Sequence, residues 1–120
     1  MLFPYAKESE KSLPDYITKA MRYLTDHIEQ KPTVAELAAL CNISEVYFRK
    51  QFKDYIGVSP CEYRNALRLS RAKSYLEYGE ISVQEISYML GYSTVSHFIK
   101  EFKQRYACSP LQYRKMKRTD

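Results

Sequence analysis

Residues 33–64 occur twice in this chain. Thr33 to Ser44 matches Ser82 to Ser93 at an offset of 49, and Phe48 to Arg64 matches Phe98 to Arg114 at an offset of 50. In the second block Phe48, Lys50, Phe52, Lys53, Ser59, Pro60, Tyr63 and Arg64 return as identical residues, eight of seventeen positions. A duplication of this kind limits the chain to folds that use one supersecondary unit two times.

The unit itself reads as helix, tight turn, helix. Thr33-Val34-Ala35-Glu36 and Ser82-Val83-Gln84-Glu85 are capping boxes, each opening a short helix. Leu37, Leu40 and Cys41 point inward in the first copy, and Ile86, Met89 and Leu90 in the second. A small residue follows where paired helices cross closely, Ala38 and Ser87. Four residues on comes one that tolerates positive φ, Asn42 and Gly91. Ser44 then caps a helix to about Ile56 with Phe48 and Phe52 on one face. A second such helix, from about Ser93 to Tyr106, carries Phe98 and Phe102. This is the helix-turn-helix order. One copy is a weak signal, because many helical bundles contain the pattern; two copies at fixed spacing are a strong one.

Between the copies lies an unbroken helix. Ser59-Pro60-Cys61-Glu62 supplies the cap, a proline at the first helical position and an acid three residues after the cap, and no further Gly or Pro intervenes before Gly79. About 20 residues at about 1.5 Å each give roughly 30 Å. Its apolar face changes along its length: Tyr63, Ala66 and Leu67 point one way, and Leu69, Ala72 and Leu76 nearly the other. That fits a strut between two small lobes as well as it fits the central helix of one bundle; the flanking repeat favours the strut. Arg64, Arg68 and Arg71 share a quadrant of this helix, either touching phosphates or, the preferred reading, pairing with acids such as Glu36 or Glu85.

Ahead of the repeat, residues 1–11 are polar and read as a tail or linker. Ser12-Leu13-Pro14-Asp15 opens a further helix, buried along Ile17, Met21, Leu24 and Ile28 and ended by Lys31-Pro32. The expected fold is all-α, with about seven helices. Two helix-turn-helix subdomains (12–58 and 79–115) are joined by a long linker helix (59–78), and a basic tail (116–120) follows. Few glycines and prolines suit such a fold. No apolar run is long enough to span a membrane, and Met1 to Tyr5 lacks the regions of a signal peptide, so the cytoplasm is the expected compartment. Cys41, Cys61 and Cys108 are odd in number and widely spaced, which points to reduced thiols without a metal site. His27 and His97 stand without ligand-spaced partners. No nucleophile–base pair, phosphate loop or metal set can be assembled, so neither an enzyme nor a cofactor is expected.

Charge points to the partner. The net charge is +5. Residues 1–32 balance five basic against five acidic side chains, leaving fourteen basic and nine acidic in residues 33–120. A basic helix-turn-helix pair suits double-stranded DNA, the longer helix of each copy lying in a major groove. Opposite Phe48 and Phe52 stand Val46, Arg49, Lys50 and Lys53; the second copy gives Ser96, Ile99, Lys100 and Lys103. Arg49, Lys50 and Lys100 suit guanine O6 and N7, Val46 and Ile99 suit thymine methyls, and Ser96 can donate or accept. Lys53 and Lys103, one turn further on, suit phosphates, as do the helix ends capped by Thr33 and Ser82. The bland alternative is a solvated amphipathic face, against which Ile99 stands out as a bare apolar group in water. Major-groove faces on one side of B-DNA repeat about every 34 Å, the order of the strut's length. A helical protein–protein interaction module with a basic face is the competing reading.

The residues Leu37-Ala38, Ser44, Tyr47-Phe48, Phe52-Lys53, Gly57, Ser59-Pro60, Tyr63, Arg68-Leu69, Ala72 and Leu76 open a longer pattern. It continues through Ile86, Gly91-Tyr92, Phe98, Phe102-Lys103, Ser109-Pro110 and Tyr113-Arg114. Together they resemble the AraC/XylS family of bacterial transcription regulators over roughly residues 15–115. The resemblance implies seven helices, promoter binding and activation through RNA polymerase. The family usually adds a separate sensor domain, so the expected chain is either a small stand-alone member or the DNA-binding end of a longer regulator, and the linker-like residues 1–11 favour the second. Carried over by position, the groove-facing residues are Val46, Arg49, Lys50, Val95, Ser96, Ile99 and Lys100. Three positions depart from the family pattern: Ser87 for alanine, Ala107 for glycine after the second reading helix, and Ile99 where a small polar residue is common.

Overall fold

The computed structural model of the chain describes residues 13–118. Among them are seven α-helices and no strand: α1 (Asp15–Asp26), α2 (Val34–Leu40), α3 (Glu45–Ile56), α4 (Pro60–Tyr78), α5 (Val83–Met89), α6 (Val95–Tyr106) and α7 (Pro110–Arg118). The fold is all-α, as the sequence predicts. The tail at residues 1–11 and the cap at Ser12 lie outside the described residues, as do the last two positions of the basic tail. Its preceding three, 116–118, belong to α7.

Helix caps follow the sequence closely. Thr33 closes a full capping box with Glu36, both bonds at 3.0 Å. Ser59 does the same with Glu62, both at 3.1 Å, and this bonding holds the Glu62 carboxyl below its usual range. Ser109 and Gln112 repeat it at the matching position, at 2.8 and 3.1 Å. Ser82 makes only the first half, accepting from the Glu85 N–H at 3.1 Å.

Two backbone bonds of the turn recur at an offset of 49. Asn42 N–H donates to Ala39 O and Ile43 N–H to Ala38 O; Gly91 N–H donates to Tyr88 O and Tyr92 N–H to Ser87 O, all at 3.0–3.1 Å. Asn42 has φ 60° and Gly91 φ 85°, the left-handed conformation expected of both. The register then shifts. Ser44 caps α3, but α6 is capped by Thr94, whose hydroxyl accepts from the His97 N–H, rather than by Ser93. Ser93 is the inserted residue, and from Thr94 onward the offset is 50. At Ser87, where the family pattern has alanine, the hydroxyl is fully buried and donates to Gln84 O at 2.7 Å, so the helix itself absorbs the extra polar group.

The chain forms two compact units that divide between Leu67 and Arg68, inside α4. In the first, Ile17, Ala20, Leu24, Leu37, Ala38, Phe48, Phe52, Ile56, Tyr63 and Ala66 form the core. Leu40 is only half-buried; the crossing is made by Ala38. Helix α1 stops at Asp26, five residues before the expected Lys31. His27 leaves helical geometry, a 3₁₀ turn spans Ile28–Gln30, and Lys31 takes φ 45°. That turn buries Ile28 and presents its carbonyl to Arg64 at 3.0 Å.

The second unit has its own core of Leu69, Ala72, Leu76, Ile86, Leu90, Tyr92, Phe98, Phe102 and Tyr113. The change of apolar face along α4 thus serves a core at each end. Tyr113 donates its hydroxyl to Glu77; burial, and then that carboxylate, push the phenol well above its usual range. Arg114, fifty residues after Arg64, plays a matching part: it donates to Leu76 O at 3.2 Å and Ile81 O at 2.6 Å.

Gly57 and Ala107 occupy one position in the two copies, and both are left-handed C-caps, at φ 94° and 63°. A Cβ at Gly57 would meet nothing within 4 Å, so its cost is conformational alone. Gly57→Ala should therefore destabilise the first unit by about 1 kcal/mol, and Ala107→Gly should stabilise the second by about 0.5 kcal/mol. Urea melts of the two variants check both signs; a loss of stability in Ala107→Gly would contradict the strain at that cap.

Candidate nucleic-acid interface

Helix α3 exists because Phe48 and Phe52, one turn apart, both reach the first core and are fully buried. The opposite face is then necessarily in water. Val46 is 79% exposed, a bare methyl surface at the N-terminal end of the helix. The Arg49 side chain is 61% exposed and lies 3.8 Å from Glu45; that of Lys50 is 69% exposed and bonds Asp54 at 2.9 Å. The Asp54 carboxylate raises the Lys50 ammonium above its usual range. Exposed pairs of this kind hold their partners weakly, so both cations are free to exchange an acid for a DNA acceptor. Lys53 is exposed in the last turn. Four of the predicted residues of the first copy therefore share one solvent face.

Helix α6 repeats the construction with Phe98 and Phe102. Ser96, Lys100 and Lys103 are exposed. Gln104 stands where the first copy has Asp54, so Lys100 lacks the acid one turn on that restrains Lys50. Lys100, Lys103, Gln104 and Ala107 line an open depression of about 430 Å³. Two predicted residues sit differently from the rest. Val95 is half-buried, and Ile99 is half-buried against the second core rather than bare in water. Ile99 lies about 80° from the inward direction of the helix, at the boundary where neighbours decide burial. Only part of its side chain is left to meet a thymine methyl.

Thr33 and Ser82 stand at exposed helix starts with their hydroxyls engaged as caps, which leaves only the remaining backbone N–H groups of the first turns without a helical partner. Of the strut arginines, Arg68 has an acid beside it as expected, but that acid is Glu101. Arg64 is buried and bonds a helix-end carbonyl, and Glu36 is spent on its capping box. Arg68 is buried, lies 3.8 Å from Glu101 and stacks 3.9 Å over the Tyr92 ring; Arg71 is half-buried. Sequence reasoning overlooked two outward residues at matching positions. Tyr47 is 49% exposed, and the His97 side chain is 50% exposed. The acid four residues after His97 is the signal that could have drawn it out. Among the described residues no group of three His, Cys, Asp or Glu side chains is placed to hold a metal ion, and no helix is long and apolar enough to cross a membrane.

The sequence profile of a helix-turn-helix domain family matches residues 37–116. The regulatory protein PocR of Salmonella typhimurium is 33% identical over 96 residues, 80% of this chain and 32% of PocR. The C-terminal domain of AraT, a response regulator from Geobacillus stearothermophilus, superposes with a TM-score of 0.82 at 30% identity, covering 87% of each chain. The DNA-binding domain of AdpA, solved in complex with a target DNA, shares the fold at a TM-score of 0.82 and 24% identity, over 88% of this chain and 96% of that one. The chain spans about a third of the length of the curated relatives it matches.

Proposed function

The chain belongs to the AraC/XylS family of DNA-binding, helix-turn-helix transcription regulators, and from that premise we propose that α3 and α6 read successive major grooves of one asymmetric, double-stranded promoter site. The observation that carries this reading is the duplicated turn, closed in both copies by the same pair of backbone bonds and followed by helices with unlike outward side chains. Equal scaffolds with unequal reading faces suit two unlike half-sites. Val46, Arg49, Lys50, Val95, Ser96, Ile99 and Lys100 are assigned to base edges, and Thr33, Lys53, Ser82 and Lys103 to phosphates. Residues 12–58 and 79–115 act as the reading subdomains and residues 59–78 as their linker helix.

The family resemblance and the share of the relatives' length that this chain covers support a wider proposal: a longer cytoplasmic regulator with an N-terminal sensor domain, joined through residues 1–11, that acts on RNA polymerase. No enzymatic activity enters this reading.

Titrating labelled duplex DNA at two salt concentrations tests the DNA-binding core of the proposal. With the four phosphate contacts assigned above, affinity should fall by about a hundredfold between roughly 50 and 200 mM salt. Little binding at either concentration would favour the protein–protein interaction module instead.

A further inference from the structure

Glu101 gathers three partners in the second unit. Its Oε1 accepts the Tyr92 hydroxyl at 2.7 Å and lies 3.8 Å from the Arg68 guanidinium; its Oε2 lies 3.0 Å from His97 Nε2. The Tyr92 ring also meets the imidazole edge-on, with centroids 5.4 Å apart. His97 is thus held from its own helix by Glu101 and from the α5–α6 turn by Tyr92, while half its side chain stays in water. A carboxylate accepts, so Nε2 carries its hydrogen in either charge state of the ring. Nδ1 is then the nitrogen left to take a second proton. Without it, the ring offers DNA one acceptor; with it, the ring offers a donor and a positive charge.

Position matters as much as chemistry. His97 lies about 60° from Lys100 around α6, on the outward face and within the first turn, the part of a reading helix that approaches base edges. The first copy lacks this device. There Tyr47 replaces the histidine and Gln51 replaces the acid, accepting the Tyr16 hydroxyl at 3.1 Å. The charged and titratable groups that meet the His97 cluster are Glu101 on α6, Tyr92 in the turn and Arg68 on α4 behind Glu101, with Lys100 three residues further along α6. Among side-chain types, imidazole is the one that ordinarily changes charge near neutral pH.

We propose that His97, clamped by Glu101, is a proton-dependent DNA contact that makes the second reading helix bind more tightly as pH falls. The proposal rests on the DNA-binding reading above. Its sign follows from linkage: DNA favours the cationic ring, the complex binds more protons than the free protein, and affinity rises toward acid pH.

The test is fluorescence anisotropy with a labelled duplex selected from random sequence, and with a random duplex, at fixed salt. The wild type should bind about five- to tenfold more tightly at about pH 5.5 than at about pH 8. His97→Gln and His97→Tyr should lose that gain, and Glu101→Gln should shrink it, with helicity by circular dichroism unchanged. His27→Gln, altering the other histidine, should keep it. A gain confined to the selected duplex assigns the contact to a base acceptor, and an equal gain on both assigns it to phosphate; either upholds the proposal. A flat wild type, or a gain that survives in both His97 variants, overturns it. No binding to either duplex at low salt would instead sink the DNA-binding reading itself.

Discussion

Phe98→Ala should cost the second unit about 3–5 kcal/mol. The ring is fully buried, 5.2 Å from the Tyr92 ring and 5.9 Å from that of Phe102. Truncation removes contacts on both sides at once and leaves a cavity that the short helix α5 and the capped turn cannot close. A unit of this size has little stability in reserve, so the loss should be visible at ordinary temperature. Hydrogen exchange gives the sharper reading: amides of α5, α6 and α7 should lose protection, while α1, α2 and α3, packed on a separate core, keep most of theirs. A cost below about 1 kcal/mol would contradict the placement of Phe98 at the centre of that core.

Lys50→Ala and Lys100→Ala should each weaken a selected DNA site by about 1–3 kcal/mol, with a smaller loss on random DNA. Neither lysine supports the fold. The Lys50 side chain is 69% exposed and its partner Asp54 is 56% exposed, and Lys100 is exposed, so melting temperatures should barely move. Lys50 must give up Asp54 to reach a base, whereas Lys100 has Gln104 beside it; the Lys100 lesion should therefore be the more damaging of the two. Equal losses on selected and random DNA would reassign both lysines to phosphate contacts.

Much of this was legible because the deciding signals were local. Caps at Thr33, Ser59 and Ser109, the left-handed turns at Asn42 and Gly91, and the phenylalanine pairs each depend on residues within one or two turns. What escaped the sequence depends on partners that carry no sequence signature. Arg64 and Arg114 donate to backbone carbonyls, which every residue possesses, so their bonding could not be distinguished from pairing with acids. Ser93 and Thr94 are equally good caps, and only the turn's length chooses between them. The end of α1 at Asp26 is set by the 3₁₀ turn that presents Ile28 to Arg64, a contact 36 residues away in sequence. Ile99 sits where a helical wheel cannot decide between core and solvent. His97 reads in the sequence as a histidine without ligand-spaced partners, although Glu101 stands four residues on.

Recovering bound fragments from random duplex DNA tests the pairing of the two reading helices most directly. Two unlike half-sites with centres about ten base pairs apart should emerge, with Lys50→Ala relaxing one of them and Lys100→Ala the other. A single half-site, a symmetric palindrome, or lysine variants that both relax the same bases would contradict tandem reading by α3 and α6.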